Sequence, residues 1–359
     1  MHAPEPDGVA ESPRPDLDLD ALRAWLTGRL PGLGGELSAQ RLTGGQSNPS
    51  WLLRSADRAW VLRAKPGPAS SLLPSAHAVE REYAVQAALR DTDVPVPEMA
   101  LLCEDESVIG AAFYVMSFAD GRIFREAWVP EVSVPERSAV FDEANRVIAL
   151  LHTVDWAGVG LSGYGRHDGF FERLISRWTR QYRASETQRI EAMEQLIAWL
   201  PEHIPAGASD EIALVHGDYR LENLVFHPTE PRIIAILDWE LSTLGSPLSD
   251  FAYHCAAWHT PAGLVRGFAG RDLDALGIPD ETAYLRRYCE RTERTDLDQV
   301  QADWPFYLAC NFFRLAAILQ GIAKRVLDGI AASPIAVETG AMAAPVAEIG
   351  WRLASAPRG

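Results

Sequence analysis

One segment constrains this chain more than any other. His216-Gly217-Asp218-Tyr219-Arg220-Leu221-Glu222-Asn223 is followed, after two short apolar runs, by Ile236-Leu237-Asp238-Trp239-Glu240. Leu224–Phe226 and residues 232–237 read as short strands. His227-Pro228-Thr229-Glu230-Pro231 between them reads as a turn, because proline fixes φ and disfavours continued pairing. If the strands pair antiparallel, Asn223 enters the hairpin where Asp238 leaves it, and the two side chains meet at one end. Metal-assisted phosphoryl transfer needs such a set: a carboxylate to meet the attacking hydroxyl, and an amide with a second carboxylate to hold magnesium on a nucleotide. Asp218 takes the first role in this reading, Asn223 and Asp238 the second. An alcohol is too weak an acid for a carboxylate to deprotonate beforehand. Asp218 would therefore orient the hydroxyl and accept its proton as the bond to phosphorus develops.

Charge and length narrow the alternatives. A net charge of −16 argues against a nucleic-acid surface, which needs clustered Lys and Arg. The 359 residues suffice for one large core or two lobes. The four cysteines (Cys103, Cys255, Cys289, Cys310) are scattered without a CxxC pair and read as reduced, buried residues. No apolar run is expected to span a membrane, and residues 1–7 lack a basic region followed by an apolar one, which points to the cytoplasm.

Along the chain, residues 1–16 are rich in Pro, Glu and Asp and are expected to form a disordered tail. Residues 16–30 carry leucines at helical spacing. Strands are expected at 37–42, 50–54, 59–64, 98–103 and 112–118, with a helix at 78–90. Beyond about residue 120 the pattern is mainly helical. This α+β order fits a small β-rich, nucleotide-gripping lobe at 17–118 and a larger mainly helical lobe at 119–359.

The first lobe has chemistry of its own. In Leu42-Thr43-Gly44-Gly45-Gln46-Ser47-Asn48, Gly44 and Gly45 allow backbone to approach phosphate oxygens, and Ser47 and Asn48 can add hydrogen bonds. An ordinary Gly-Gly hairpin turn is the plainer explanation. Arg63 and Lys65, two residues apart, share one face of their strand. A cation there can neutralise nucleotide phosphates and pair with a carboxylate of the next helix, Glu82 first and Glu80 second.

His216-Gly217-Asp218 and Asp238-Trp239-Glu240 resemble the aminoglycoside phosphotransferase-like small-molecule kinases, which carry these sequences where protein kinases have His-Arg-Asp and Asp-Phe-Gly. The resemblance implies a protein-kinase-like two-lobed fold, ATP as co-substrate and Mg²⁺. It also implies that Arg63, in Val61-Leu62-Arg63 with Lys65-Pro66 behind it, is the phosphate-facing cation. Residues 114–119 would form the hinge, with backbone near Met116 and Phe118 reading an adenine edge. The family often has Glu where Ser117 stands, which leaves ATP or GTP open. An Asp at position 250 would tie the catalytic loop down, and Ser249 and Asp250 are N-cap candidates for the helix beginning there.

A narrower likeness runs through residues 41–48, 63–66, 177–182, 238–254 and 312–321. It is to a kinase type found alone in bacteria and fused to acyl-CoA dehydrogenase domains elsewhere. It implies an acceptor hydroxyl on a hydroxy fatty acid or its CoA thioester, and an acyl-CoA dehydrogenase-type partner acting on the product. The helical insert 155–205 is where specificity is expected. There Arg173, Arg177, Trp178, Arg180 and Tyr182 recur at helical spacing. Arginines suit an acidic substrate, although Trp178 packed into a core with arginines in water is the simpler account. The rival acceptors are aminoglycosides or amino alcohols, which call for acidic side chains beside Asp218. A catalytically silent nucleotide-binding scaffold is the alternative of another class.

Overall fold

The computed structural model describes residues 17–42, 48–56, 58–66, 78–264, 266–329 and 335–356. The expected tail at 1–16 and the loop residues Gly44, Gly45 and Ser47 lie outside the described residues. The chain divides into two compact units, 1–83 with 98–118 and 84–97 with 119–359.

The first unit holds α1 (Leu19–Leu26), β1 (Ser38–Arg41), β2 (Ser50–Ser55), β3 (Arg58–Ala64), the start of α2 (Val79–Leu89), β4 (Met99–Cys103) and β5 (Phe113–Ser117). The five strands form one antiparallel sheet in the order β1-β2-β3-β5-β4. Strand alternation decides what each face does. Trp60, Leu62 and Ala64 of β3 pack into a cluster with Leu22 and Leu26 of α1. Val61, between them, joins Val79, Tyr114 and Met116. Arg63 shares the parity of Val61 and so faces α2. The first helix is shorter than leucine spacing suggests. It ends at Leu26 because Thr27 leaves helical geometry (ψ 124°) and Gly28 follows at φ +76°, although Leu30 is still buried.

The second unit takes the rest of α2, then α3 (Val134–His152), α4 (Phe170–Ser185), α5 (Glu191–Trp199), β6 (Ala213–Val215), β7 (Leu224–Phe226), β8 (Ile233–Ile236) and β9 (Thr243–Gly245). It continues through α6 (Pro247–His259), α7 (Leu273–Leu276), α8 (Glu281–Arg291), α9 (Leu297–Leu327), α10 (Ala336–Ala341) and α11 (Ala343–Ala354). Strands β7 and β8 form the expected antiparallel hairpin, with Leu224 opposite Ile236. A second pairing, β6 with β9, escaped the sequence reading because three-residue strands show no measurable periodicity.

Two further expectations are corrected. Helix α6 begins at Pro247, with the Ser246 side chain accepting the Ser249 N–H, so Ser249 and Asp250 lie inside its first turn. Helix α9 is long and apolar enough to cross a membrane, contrary to the expectation that no run reaches that length. Pro305 lies within it. Two-thirds (67%) of its most apolar window is buried, and its Phe312, Phe313, Ala316 and Ala317 are core residues of this unit. All four cysteines are free and buried.

Candidate active site

In the first unit the charged centre is Glu82, 1% exposed on α2. Its carboxylate pairs with Arg63 Nε at 2.8 Å and accepts hydrogen bonds from Asn48 Nδ2 (2.6 Å) and the Tyr114 hydroxyl (3.1 Å). A buried carboxylate is stable only when paired and hydrogen-bonded, and three donors, from β3, β5 and the segment before β2, meet that need. Lys65 pairs with Glu80, two residues away on the same helix. The strand's two-residue spacing is thus matched cation for carboxylate.

Two sequence expectations for this unit change. Asn48 is buried with its amide on Glu82, so it orients the carboxylate instead of extending the phosphate loop. The amide of Phe118, expected to read an adenine edge, donates to Ala59 O at 3.3 Å, and Ser117 N donates to Glu98 O at 2.8 Å. Met116 lies in the middle of the sheet, opposite Val61 and Met99. Tyr114 went unrecognised as a Glu82 partner. Its register opposite Arg63 becomes visible only once β3 and β5 are paired.

In the second unit the residues flagged at 216–223 and 238 come together. Leu237 N donates to Asn223 O at 2.8 Å, which closes the hairpin end where Asn223 enters and Asp238 leaves. Asp218 Oδ2 accepts from Arg220 Nε (3.1 Å) and Asn223 Nδ2 (3.0 Å), and its Oδ1 accepts from the Tyr253 hydroxyl at 2.5 Å. A carboxylate offers about four acceptor positions. Among the described residues these three donors leave one, on Oδ1. Burial first, and the Asp218 charge second, push the Tyr253 phenol well above its ordinary range, so it stays protonated and donates. Tyr253 was not singled out from sequence. The available signal was its position one helical turn beyond Asp250.

Asp238 adopts φ +66° and ψ +60°, a left-handed conformation that Asp tolerates better than most residues and that is found where a loop must aim one side chain. Asn223 directs its amide nitrogen to Asp218, which leaves its carbonyl oxygen. Together with the Asp238 carboxylate this makes a pair of hard oxygen donors, chemistry that suits Mg²⁺ completed by phosphate and water. Among the described residues there is no cluster of three His, Cys, Asp or Glu side chains able to hold a metal.

The loop is held from beneath by Asp250. Its carboxylate accepts the backbone N–H of His216 and of Gly217, both at 2.8 Å, and lies 3.2 Å from His152 Nε2. His216 is fully buried, with Nε2 2.9 Å from Leu237 O, so it ties the loop to the hairpin. Gly217 has φ +81°, and a Cβ there would lie 2.6 Å from Leu241 O. Gly217→Ala is therefore expected to destabilise the protein by about 1–3 kcal/mol, seen as a lower midpoint in thermal unfolding. An unchanged midpoint would show that the loop can shift without cost.

Beside the loop lies a cleft of about 750 Å³, bordered by Gly217, α4 and Arg314 of α9. Five arginines line it (Arg166, Arg173, Arg177, Arg180, Arg314) with two carboxylates, Glu172 and Asp250; Asp250 is already bound to the loop, and Asp168 lies 3.8 and 3.5 Å from Arg166 and Arg173. Phe170, Leu174 and Trp178 supply apolar wall. The Arg177 and Arg314 guanidiniums lie 5.5 and 5.9 Å from the Trp178 ring centre. Arg314 also donates to Gly217 O at 2.9 Å, which couples the cleft to the loop. Tyr182, expected on this surface, is 0% exposed, and its hydroxyl accepts the Ile190 N–H. It anchors the turn after α4 and has no place in the cleft.

The sequence model of the phosphotransferase enzyme family matches residues 38–299. The chain belongs to this family. A Ralstonia eutropha protein assigned to the aminoglycoside phosphotransferases is 51% identical, with a TM-score of 0.85 over 94% of this chain and 98% of that one. The mouse protein acyl-CoA dehydrogenase family member 10 is 43% identical over 94% of this chain. The phosphotransferase spans only 31% of that relative's length. Choline kinase from Cryptosporidium parvum shares the fold, with a TM-score of 0.67 at 11% identity over 94% of this chain and 95% of that one. The phosphotransferase is a small-molecule kinase with a protein-kinase-like fold, as its two resembling motifs implied.

Proposed function

We propose that this phosphotransferase moves the γ-phosphoryl group of ATP, with Mg²⁺, to the hydroxyl of an anionic acyl metabolite, a hydroxy fatty acid or hydroxyacyl-CoA. The observation that carries the acceptor class is the five-arginine cleft beside Gly217, in a chain whose net charge is −16. Basic groups so concentrated against the overall charge raise the local concentration of an anion and suit carboxylate or phosphate groups. They repel the ammonium groups of an aminoglycoside or amino alcohol.

Asp218 is the group for the acceptor hydroxyl. Its remaining acceptor position on Oδ1 receives the O–H, while Arg220 and Asn223 hold Oδ2 and fix the carboxylate plane. Asn223 and Asp238 are the residues for Mg²⁺, which when bound would neutralise phosphate charge. Arg63, oriented by Glu82, is the phosphate-facing cation of the first unit. Likeness to a family member 10 dehydrogenase also supports an acyl-CoA dehydrogenase-type enzyme as the one acting on the product.

One observation favours amine acceptors: the 51% identical Ralstonia protein is assigned to the aminoglycoside phosphotransferases. ADP release with Mg-ATP separates the two readings, using one pool of hydroxy acids and their CoA thioesters and another of aminoglycosides and amino alcohols. The Asp218→Ala protein serves as the blank for slow ATP hydrolysis. Turnover confined to the hydroxyacyl pool is expected. Turnover confined to the amine pool would overturn the acceptor class and leave the kinase assignment standing.

A further inference from the structure

We propose that an apolar slot bordered by Tyr253 holds the hydrocarbon tail of the acceptor and sets which chain lengths are phosphorylated; this rests on the hydroxyacyl reading above. The slot has a volume of about 110 Å³ and is lined by Phe141, Trp258, Phe268 and Leu315, with Arg220 and Tyr253 at the edge nearest the catalytic loop. Both edge residues hydrogen-bond Asp218.

Helical spacing opens it. Tyr253, Ala256 and Ala257 recur at three and four residues and share one face of α6. Two methyl side chains beyond Tyr253 leave the space that larger residues would fill.

The walls suit a hydrocarbon. Phe141, Trp258 and Phe268 pack edge to face at centroid separations of 4.9 to 6.0 Å, an arrangement that holds each ring in place. The Trp258 indole nitrogen donates to Pro279 O at 2.9 Å, so its polar atom is satisfied elsewhere. At the mouth, Glu222 pairs with both Arg220 (2.8 Å) and Arg266 (2.5 Å), which offsets the charge of those two guanidiniums.

An acceptor with three parts then matches three places. Its anionic end goes to the arginine cleft, its hydroxyl to Asp218 Oδ1 and its tail past Tyr253 into the slot. Neighbouring residues of α9 serve the two sides, Arg314 the cleft and Leu315 the slot. A cavity of about 150 Å³ lined by aliphatic and aromatic groups admits benzene, so this slot accommodates a tail of a few carbons.

The test is kcat/KM across hydroxy acids of increasing tail length. In the wild type it should rise about four-fold per buried methylene and level off once the slot is full. Ala256→Leu, which fills the slot, should bring the ratio of long-tail to short-tail kcat/KM close to one. Leu315→Ala, which enlarges it, should move the plateau to longer tails, and it keeps the proposal open to refutation if the first variant folds poorly. An identical profile in wild type and Leu315→Ala, with hydroxy acids still turned over, overturns the slot and leaves the acceptor class standing. Turnover of amino alcohols alone overturns the acceptor class, and the slot with it.

Discussion

Asp218→Ala is expected to lower kcat by about 10²–10⁴-fold, the range for loss of a positioned acid–base group, while Mg-nucleotide binding is retained. Asp218 meets Arg220, Asn223 and Tyr253, and its remaining acceptor position is on Oδ1. Truncation removes the carboxylate that all three donors hold. Asn223 and Asp238 still sit together at the hairpin end, which the Leu237–Asn223 backbone bond closes independently. Asp238→Ala should give the opposite pattern, with Mg-dependent nucleotide binding weakened first. Calorimetric titration of Mg-ATP beside ADP release distinguishes the two. Full turnover by the Asp218 variant would remove that residue from the chemistry, and unchanged Mg-nucleotide binding by the Asp238 variant would remove it as a cation ligand.

Asp250→Ala is expected to cost about 3–5 kcal/mol of stability, as when one partner of a buried charged network is deleted. The carboxylate is 4% exposed and serves two backbone amides of the catalytic loop as well as His152, whose other ring nitrogen lies 2.7 Å from the Tyr288 hydroxyl. Removing it strands those donors in the core, where each lost partner carries its own desolvation penalty. Urea unfolding of wild type and variant reads the difference directly. A cost under about 1 kcal/mol, within the range of an exposed ion pair, would mean that the loop is held by other contacts.

The same residue predicts an acid dependence. Burial alone would raise the Asp250 pKa, but the hydrogen bond and charge of His152, with the charge and amide of His216, outweigh it and hold the folded value below the ordinary one. Such a group contributes fully above its unfolded value of about 3.9. That contribution is lost as pH falls from there through the lower folded value. Asp250→Asn should therefore flatten the dependence of unfolding free energy on pH below about 4. Equal slopes in variant and wild type would assign the acid sensitivity to other carboxylates.

Local pattern made much of the fold legible. The five strands of the first unit, α2 and the β7–β8 hairpin all follow from alternation, helical spacing and turn residues, properties that a short segment carries by itself. The residues of the catalytic loop were legible for a related reason. Asp218 and Asn223 are five residues apart, and only a short hairpin separates them from Asp238, so almost any compact folding of that stretch brings them together. The pairing of Arg63 with Glu82 was an inference from chain order, and parity along β3 explains it.

Tertiary packing decided what no local pattern encodes. It directed Asp250 back to the catalytic loop, placed Tyr114 and Asn48 on Glu82, and engaged the Phe118 amide within the sheet. It sorted the residues of α4, sending Tyr182 into the core and leaving Arg177 at the cleft, although both fit one helical repeat. It also brought Tyr253 onto Asp218 across 35 residues of chain. Spacing in sequence specifies which side chains share a face. Only the packing of that face against another element specifies what they touch, because the energy that chooses the partner lies in burial and hydrogen bonding between segments distant along the chain.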